Sequence, residues 1–469
     1  MIWLPNELWH KIFDEIPLKD VLRASATSKG LRSLALPIIW RKVYFSPKND
    51  ADDQHPQRLE FLCSEDIAPL VRELEVYSPS LKASGPCLLL LDNLHRFTRL
   101  RRLALQGIDP SDKICRSIAS HPSIAEFSLI WMSFGALSNK SPKWQASNTN
   151  LTHICVITSS PLSAPLLQLI YAPSLERLDL IGVGARFDAW AALKSSVAGP
   201  SAYAALKTVS VFVPQHQVLA ALASLGAMPN VEDFSISASD NDEDYHSFAF
   251  TCEQGYFPRL SKLECSHNLL PILVGGERLK HLEIMSCTVA ELTSSAQRLG
   301  ALPSTLVSIA LTLNLTQVGL VAARLAMLDL WDRFPSVTEL RLSSSHVLRD
   351  SRDAAVRNAY EHGQKFFDEL SAHVDVLPPT LTKFEAVWSL DDITPKKADT
   401  AEQLSQPVFS TPRRFLDALL VRCPNLTSVL FNGSTTVFSW TSAAGNEELI
   451  EIRGFEEVKN YLTSIRHRP

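Results

Sequence analysis

One short pattern returns along most of this chain: an apolar residue, two variable ones, an apolar residue, one variable one, and a third apolar residue. The copies are Val71-Leu74-Val76, Leu100-Leu103-Leu105, Ile124-Phe127-Leu129, Leu151-Ile154-Val156, Leu175-Leu178-Leu180, Leu206-Val209-Val211 and Val231-Phe234-Ile236. They continue as Leu260-Leu263-Cys265, Leu279-Leu282-Ile284, Leu306-Ile309-Leu311, Val337-Leu340-Leu342, Leu381-Phe384-Ala386 and Leu426-Val429-Phe431. Ten of the twelve spacings between successive starts fall between 19 and 31 residues, and the last two are 44 and 45. The last two apolar positions alternate as in a strand with one buried face. Seven copies carry proline two residues ahead of the first apolar position: Pro122, Pro173, Pro229, Pro258, Pro335, Pro379 and Pro424. Proline there ends a preceding helix and sets an extended entry. Helix-prone stretches lie between copies, at 187–197, 215–225 and 316–334. A unit of this size cannot bury its own apolar face, so the copies are expected to stack on one another. A generic α/β protein with parallel strands remains the alternative, because short apolar triplets are common.

The period and the triplet resemble the leucine-rich repeat. That family favours Asn or Cys three residues past the last apolar position, where Asn268, Cys287 and Asn314 stand; Ser159, Ser239, Ser345, Ser389 and Ser434 take the same place in other copies. The resemblance implies an irregular α/β solenoid, with a parallel sheet on a concave face and helices on a convex one. It also implies a protein-binding surface made of the variable residues that flank the second apolar position. Arg102, Arg177, Asp179, Lys262, Glu264, His281, Glu283, Glu339 and Arg341 are the candidates for contacting a target.

The first 45 residues follow a different logic. Leu8, Ile12 and Ile16 recur every four residues, with Trp9 and Phe13 beside them, which predicts an apolar helical stripe wide enough for an inward and an outward contact. Pro5 suits a first turn, Pro17 ends the helix, a second helix starts near Asp20, Gly30 fits its C-cap, and Pro37 breaks a third. Three such short helices carry more apolar surface than they can cover themselves. Leu4-Pro5, Glu7-Leu8, Ile12, Ile16-Pro17, Asp20-Val21-Leu22, Lys29 and Trp40-Arg41 together resemble the F-box, with departures at Thr27, Ser28 and Leu31. The Leu36-Pro37-Ile38-Ile39-Trp40-Arg41 ending looks like fungal members. The resemblance implies that Leu4, Pro5, Leu8, Ile12, Ile16, Pro17 and Leu22 contact a Skp-type adaptor of a cullin ubiquitin ligase, while the repeats hold a target protein. The alternative is a non-ligase scaffold whose F-box-like helices cap the repeats.

The expected layout is an F-box at 1–46, a connector at 47–69, about thirteen repeats at 70–453 with inserts at 343–376 and 391–412, and a C-terminal helical cap at 454–469. A formal charge of −5 gives no field for nucleic acid, and the longest aliphatic run, Leu88–Leu91, is too short to enter a bilayer. The eight cysteines are scattered, without C-x-x-C pairs, so reduced buried thiols and a cytoplasmic or nuclear chain are expected. With no signal peptide expected, the five N-x-S/T sequons are read as unused.

Candidate chemistry is thin. Gly182-Val183-Gly184 lacks the third glycine of a dinucleotide loop, since Phe187 stands there. Asp240, Asp242 and Asp244 start like a calcium loop, but Tyr245 and Thr251 occupy the positions that need Gly and Glu. Cys265 and His267 are a poor nucleophile and base, because Cys265 is an inward strand position. No cofactor, metal or catalytic residue is expected.

Overall fold

The computed structural model describes residues 4–47, 55–78, 85–108, 111–132, 150–158, 169–170, 173–182, 203–214, 218–225, 228–239, 257–273, 278–287, 291–292, 294, 297, 304–313, 331–332, 334–347, 364–391, 412–433, 436–443, 446–453 and 455–466. The chain divides into two compact units. The first is Met1–Val231 with Ala238–Tyr245, and the second is Glu232–Ser237 with His246–Pro469.

The first unit opens with three helices, α1 (Asn6–Glu15), α2 (Leu18–Thr27) and α3 (Lys29–Ile39). Pro5 and Pro17 stand just ahead of the first two, and each carbonyl accepts the first helical N–H groups, from Leu8 and Trp9 and from Asp20 and Val21. Ser28 caps α3 with its hydroxyl on the Leu31 N–H at 3.1 Å. Two sequence expectations fail here. Gly30 lies in the first turn of α3, not at the C-cap of α2, because Ser28 starts the next helix two residues earlier. Pro37 stays inside α3, where only the last turn loses a hydrogen bond.

Seven parallel strands follow in the first unit, each paired with the next in sequence. They are β1 (Lys42–Phe45), β2 (Glu73–Tyr77), β3 (Arg102–Gln106), β4 (Glu126–Met132), β5 (His153–Thr158), β6 (Arg177–Ile181) and β7 (Thr208–Pro214). Helices α4 (His55–Leu62), α5 (Gly85–Asp92), α6 (Asp112–Ser120) and α7 (Val218–Leu225) come between strands. The 47–69 segment is therefore more than a connector, since it contributes α4.

The second unit holds β8 (Asp233–Ser239), β9 (Lys262–Ser266), β10 (His281–Cys287), β11 (Ser308–Leu313), β12 (Glu339–Val347), β13 (Lys383–Asp391) and β14 (Ser428–Asn432). These are parallel and again paired in sequence order. A hairpin the sequence reading missed, β15 (Thr436–Ala443) with β16 (Asn446–Arg453), adds antiparallel strands after β14. Helix α8 (Pro412–Arg422) precedes β14, and α9 (Phe455–Arg466) ends the described chain. Helical residues 364–372 bury Phe366, Phe367 and Leu370, so this part of the 343–376 insert belongs to the core. Asp240, Asp242, Asp244, Gly184, the 187–197 stretch and nearly all of the 391–412 insert lie outside the described residues.

Each of the thirteen triplets places its second and third apolar residues on one of β2–β14, and all of those side chains are buried. A backbone relay repeats with them. The carbonyl of one variable residue accepts two successive N–H groups of the next copy: Arg72 from Arg101 and Arg102, Arg101 from Ala125 and Glu126, Ala125 from Thr152 and His153. The same step recurs in the second unit, from Glu232 through Ser261, Lys280, Val307 and Thr338 to Thr382. Within each unit these copies thus satisfy the strand-entry N–H groups of the next, which fixes register and polarity together. A side-chain ladder runs beside it. Ser123, Ser174, Thr305 and Thr380 each stand just before a first apolar residue and donate to the carbonyl of the previous copy's first apolar residue, Leu100, Leu151, Leu279 and Val337.

Of the Asn/Cys ladder expected beyond the strands, Cys287 is described, with its thiol 3.9 Å from the Thr312 carbonyl. Asn314, Ser159, Ser434 and the side chains of Asn268, Ser239, Ser345 and Ser389 lie outside the described residues.

Candidate functional site

Two surfaces qualify. The first is the helical N-terminus. Its core is small: Phe13, Val21 and Ala35 are buried, with Trp9, Ile16, Ala24, Leu31, Leu34, Ile38 and Ile39 packed around them. Trp9 and Phe13 meet with ring centroids 5.5 Å apart. On the opposite sides of the same helices, Leu8 and Ile12 of α1 remain 43% and 37% exposed, and Leu18 and Leu22 of α2 remain 52% and 46% exposed. These are two i,i+4 pairs on consecutive helices, each forming an apolar stripe in solvent.

This geometry sorts the seven adaptor candidates. Leu8, Ile12 and Leu22 present free apolar surface, Pro5 and Pro17 are exposed, and Leu4 is half-buried. Ile16 keeps the four-residue spacing of Leu8 and Ile12 but stands past the end of α1, as its C-cap with extended backbone, and there it turns inward onto the Phe13 cluster. Leu18 was overlooked, although its place one turn before Leu22 was a readable signal.

The helices are joined to the sheet rather than hung on a linker. Strand β1 pairs with β2, Trp40 packs edge-on against Phe61 at 5.3 Å, and Lys42 Nζ lies 2.8 Å from Glu75 Oε1. The Arg58 guanidinium covers the Phe45 ring at 5.6 Å.

The second surface is the outward face of the strands, carrying the variable residues. In the first unit Arg102, Glu126, His153 and Arg177 stand in register on neighbouring strands. Arg102 and Arg177 are exposed as expected. Asp179 is not: it is only 5% exposed, sunk between its neighbours. His153 Nε2 lies 2.8 Å and Arg177 Nε 3.0 Å from Asp179 Oδ2. Burial pushes the Asp179 carboxyl up, but these two partners outweigh it and hold it below the usual carboxylate range. Asp179 therefore orients Arg177 and His153 and offers nothing of its own to a target. Because its folded pKa is lowered, its contribution is present above about pH 4 and fades as pH falls through the folded value. Asp179→Ala is expected to cost about 2 kcal/mol at neutral pH. The gap should narrow as pH falls below about 4, read from urea midpoints. A gap that is absent at pH 7, or independent of pH, would rule this out.

In the second unit Lys262, Glu264, Glu283 and Glu339 are half-buried, and His281 and Arg341 exposed. Lys262, Arg341 and Lys383 each face a carboxylate on an adjacent strand: Asp233 at 3.9 Å, Glu385 at 3.7 Å and Glu339 at 2.8 Å. Glu264 and Glu283 are directly opposite across β9 and β10. Burial raises the Glu264 pKa, the Glu283 charge raises it further, and a hydrogen bond from Ser235 opposes both.

The buried cysteines match their inward strand positions. Burial pushes the Cys265 thiol far up and the Cys287 thiol to about 12, so neither supplies a thiolate. Gly182, with φ of 69°, is a strand-exit turn whose N–H donates to the Phe212 carbonyl at 2.9 Å. Among the described residues no cluster of His, Cys, Asp and Glu could hold a metal, and no helix is long and apolar enough to cross a membrane.

Comparison with known families agrees with the N-terminal geometry. Residues 3–46 match the F-box-like family model. The match ends one residue past β1, so it spans the three helices and the first strand. No curated protein matches the chain.

Proposed function

We propose that this chain is the substrate-receptor subunit of a cullin-type (SCF) ubiquitin ligase, binding a Skp-type adaptor through its N-terminal helices and a target protein through leucine-rich repeats. The observation that carries it is the pair of exposed apolar stripes on α1 and α2, within the segment that matches an F-box-like model. F-box domains generally bind Skp-type adaptors. The thirteen triplets, the repeating carbonyl relay and the sequence-order pairing of strands support reading the remainder as a leucine-rich-repeat solenoid. In this reading the chain is not an enzyme and carries no cofactor. It raises the effective concentration of target lysines beside a conjugating enzyme supplied by the assembly. It works in the cytoplasm or nucleus, with neither nucleic acid nor membrane as partner. Pull-down of adaptor by the full chain, with and without Leu8→Asp or Ile12→Asp, is the test.

A second reading keeps the helices only as a cap on the repeats. It is favoured by β1, which lies inside the matched segment and pairs with β2. Deleting residues 1–46 does not separate the two, because it strips β1 from the sheet in either case. Point substitutions on the outer stripes do.

A further inference from the structure

The C-terminal helix does not cap the core end of the second unit; it lies on the outward face of the hairpin. In strand register Leu430 is opposite Ser439 and Ser439 opposite Ile450, all on the face of the variable residues. Val437 shares that face, two residues before Ser439, yet is fully buried. Helix α9 packs on β15 and β16, with Val458 2% exposed and Tyr461 beside Ser439 and Ile450 on that same face. This double cover explains why Thr436, Val437 and Phe438 are buried in succession, where a one-sided strand would alternate.

Between α9 and the sheet is a cleft of about 210 Å³, formed by Leu430, Ser439, Thr441, Glu448, Ile450 and Tyr461 with Ser428 at its end. Sites that take a whole small ligand run from about 300 to 1,000 Å³. This one has room for a single long side chain. We propose that it receives one basic side chain, lysine or arginine, of the target protein; this rests on the reading that the outward face holds a target. Leu430 and Ile450 supply apolar surface for an aliphatic stem, and the Ser439, Thr441 and Tyr461 oxygens can accept from a cationic head. Glu448 is exposed and has no ion pair among the described residues. The charge pattern of the face disfavours the opposite ligand. Lys262, Arg341 and Lys383 are each already beside a carboxylate, while the carboxylate in the cleft is not. An anionic side chain would meet Glu448, with no cation among the described residues that line the cleft.

The full chain is titrated with four fluorescent pentapeptides that differ at one central residue: lysine, arginine, norleucine or glutamate. Lysine and arginine peptides should bind saturably in the millimolar range, and norleucine about tenfold more weakly, because it keeps the stem and loses the charge-assisted bonds. Glu448→Gln should weaken the lysine peptide about tenfold. Glu447→Gln should leave it unchanged, since Glu447 is exposed on the opposite side of β16. Norleucine binding as tightly as lysine, equal effects of the two substitutions, or no saturable binding of either basic peptide would overturn the proposal. Adaptor capture measured on the same preparations separates the two readings. Lost peptide binding with capture intact removes only the pocket, and lost capture with peptide binding intact removes only the ligase.

Discussion

Leu8→Asp and Ile12→Asp should each abolish capture of a Skp-type adaptor while the chain keeps its melting temperature. Both side chains already stand in solvent, so aspartate removes no packing within the helical core. An apolar anchor at a protein interface is commonly worth about 2 kcal/mol or more, and a carboxylate forced into that interface adds a desolvation penalty. The sum corresponds to a loss of roughly a hundredfold or more in affinity. Leu18→Asp and Leu22→Asp should behave alike, being 52% and 46% exposed on α2. Ile16→Asp is a poor probe, since Ile16 packs on Phe13 and its replacement would unfold the helices rather than unpair them. Adaptor capture surviving all four outward substitutions would sink the ligase reading and leave the cap.

The cap reading makes the opposite forecast for stability. If the stripes had evolved to seal the repeats, charge on them would lower the melting temperature of the first unit. In the structure that sealing is done elsewhere, by Trp40 against Phe61, by Arg58 over Phe45 and by the pairing of β1 with β2. The outer stripes take no part in these contacts. That leaves the stripes as exposed apolar area, the kind of surface that marks an interaction site in the ligase reading.

The period of the apolar triplets made the strands legible, because a buried third position and a buried second position leave the same mark in every copy. β1 was not legible: Val43 and Phe45 supply only the last two apolar positions, and Trp40-Arg41 reads as a helix ending. The hairpin of β15 and β16 was hidden for a related reason. Its burial comes from two sides, so Val437 and Phe438 lose the alternation by which a strand is recognised. Asp179 was misread because alternation tells which face a residue takes and not how deep it lies; His153 and Arg177 close over it from one strand away and from two residues away. The serine and threonine ladder ahead of each copy escaped notice because a hydroxyl before an apolar residue is common, and only its repetition in space gives it meaning. Exposure of the N-terminal stripes could be anticipated in part, since the row of Leu8, Ile12 and Ile16 beside Trp9 and Phe13 predicted one inward and one outward contact, yet Ile16 turns inward and Leu18 extends the outward set beyond the expected positions.

Gly107 offers the sharpest test of the strand packing. It follows β3 with φ of 69°, in the region that side chains other than glycine rarely enter. A Cβ built there would lie 2.3 Å from the Ser78 carbonyl oxygen, well inside any real contact. That carbonyl cannot swing away freely, because Ser78 is 3% exposed and its own N–H donates to the Gln106 carbonyl at 2.8 Å. Gly107 is also tied forward, its N–H donating to Ile130 at 3.2 Å, so relief would have to separate β2, β3 and β4. Strain of the backbone and the steric overlap together place the expected cost of Gly107→Ala at about 3 kcal/mol or more. In a unit of this size that is a fall of roughly 10 °C in melting temperature. Gly30→Ala is the matched control: its added Cβ meets nothing within 4 Å, and it sits in α3, where alanine is favoured. It should be neutral or stabilising by up to about 1 kcal/mol. The two melts should therefore move apart, and a Gly107→Ala chain melting no lower than Gly30→Ala would mean that the exits of β2 and β3 are not packed as described.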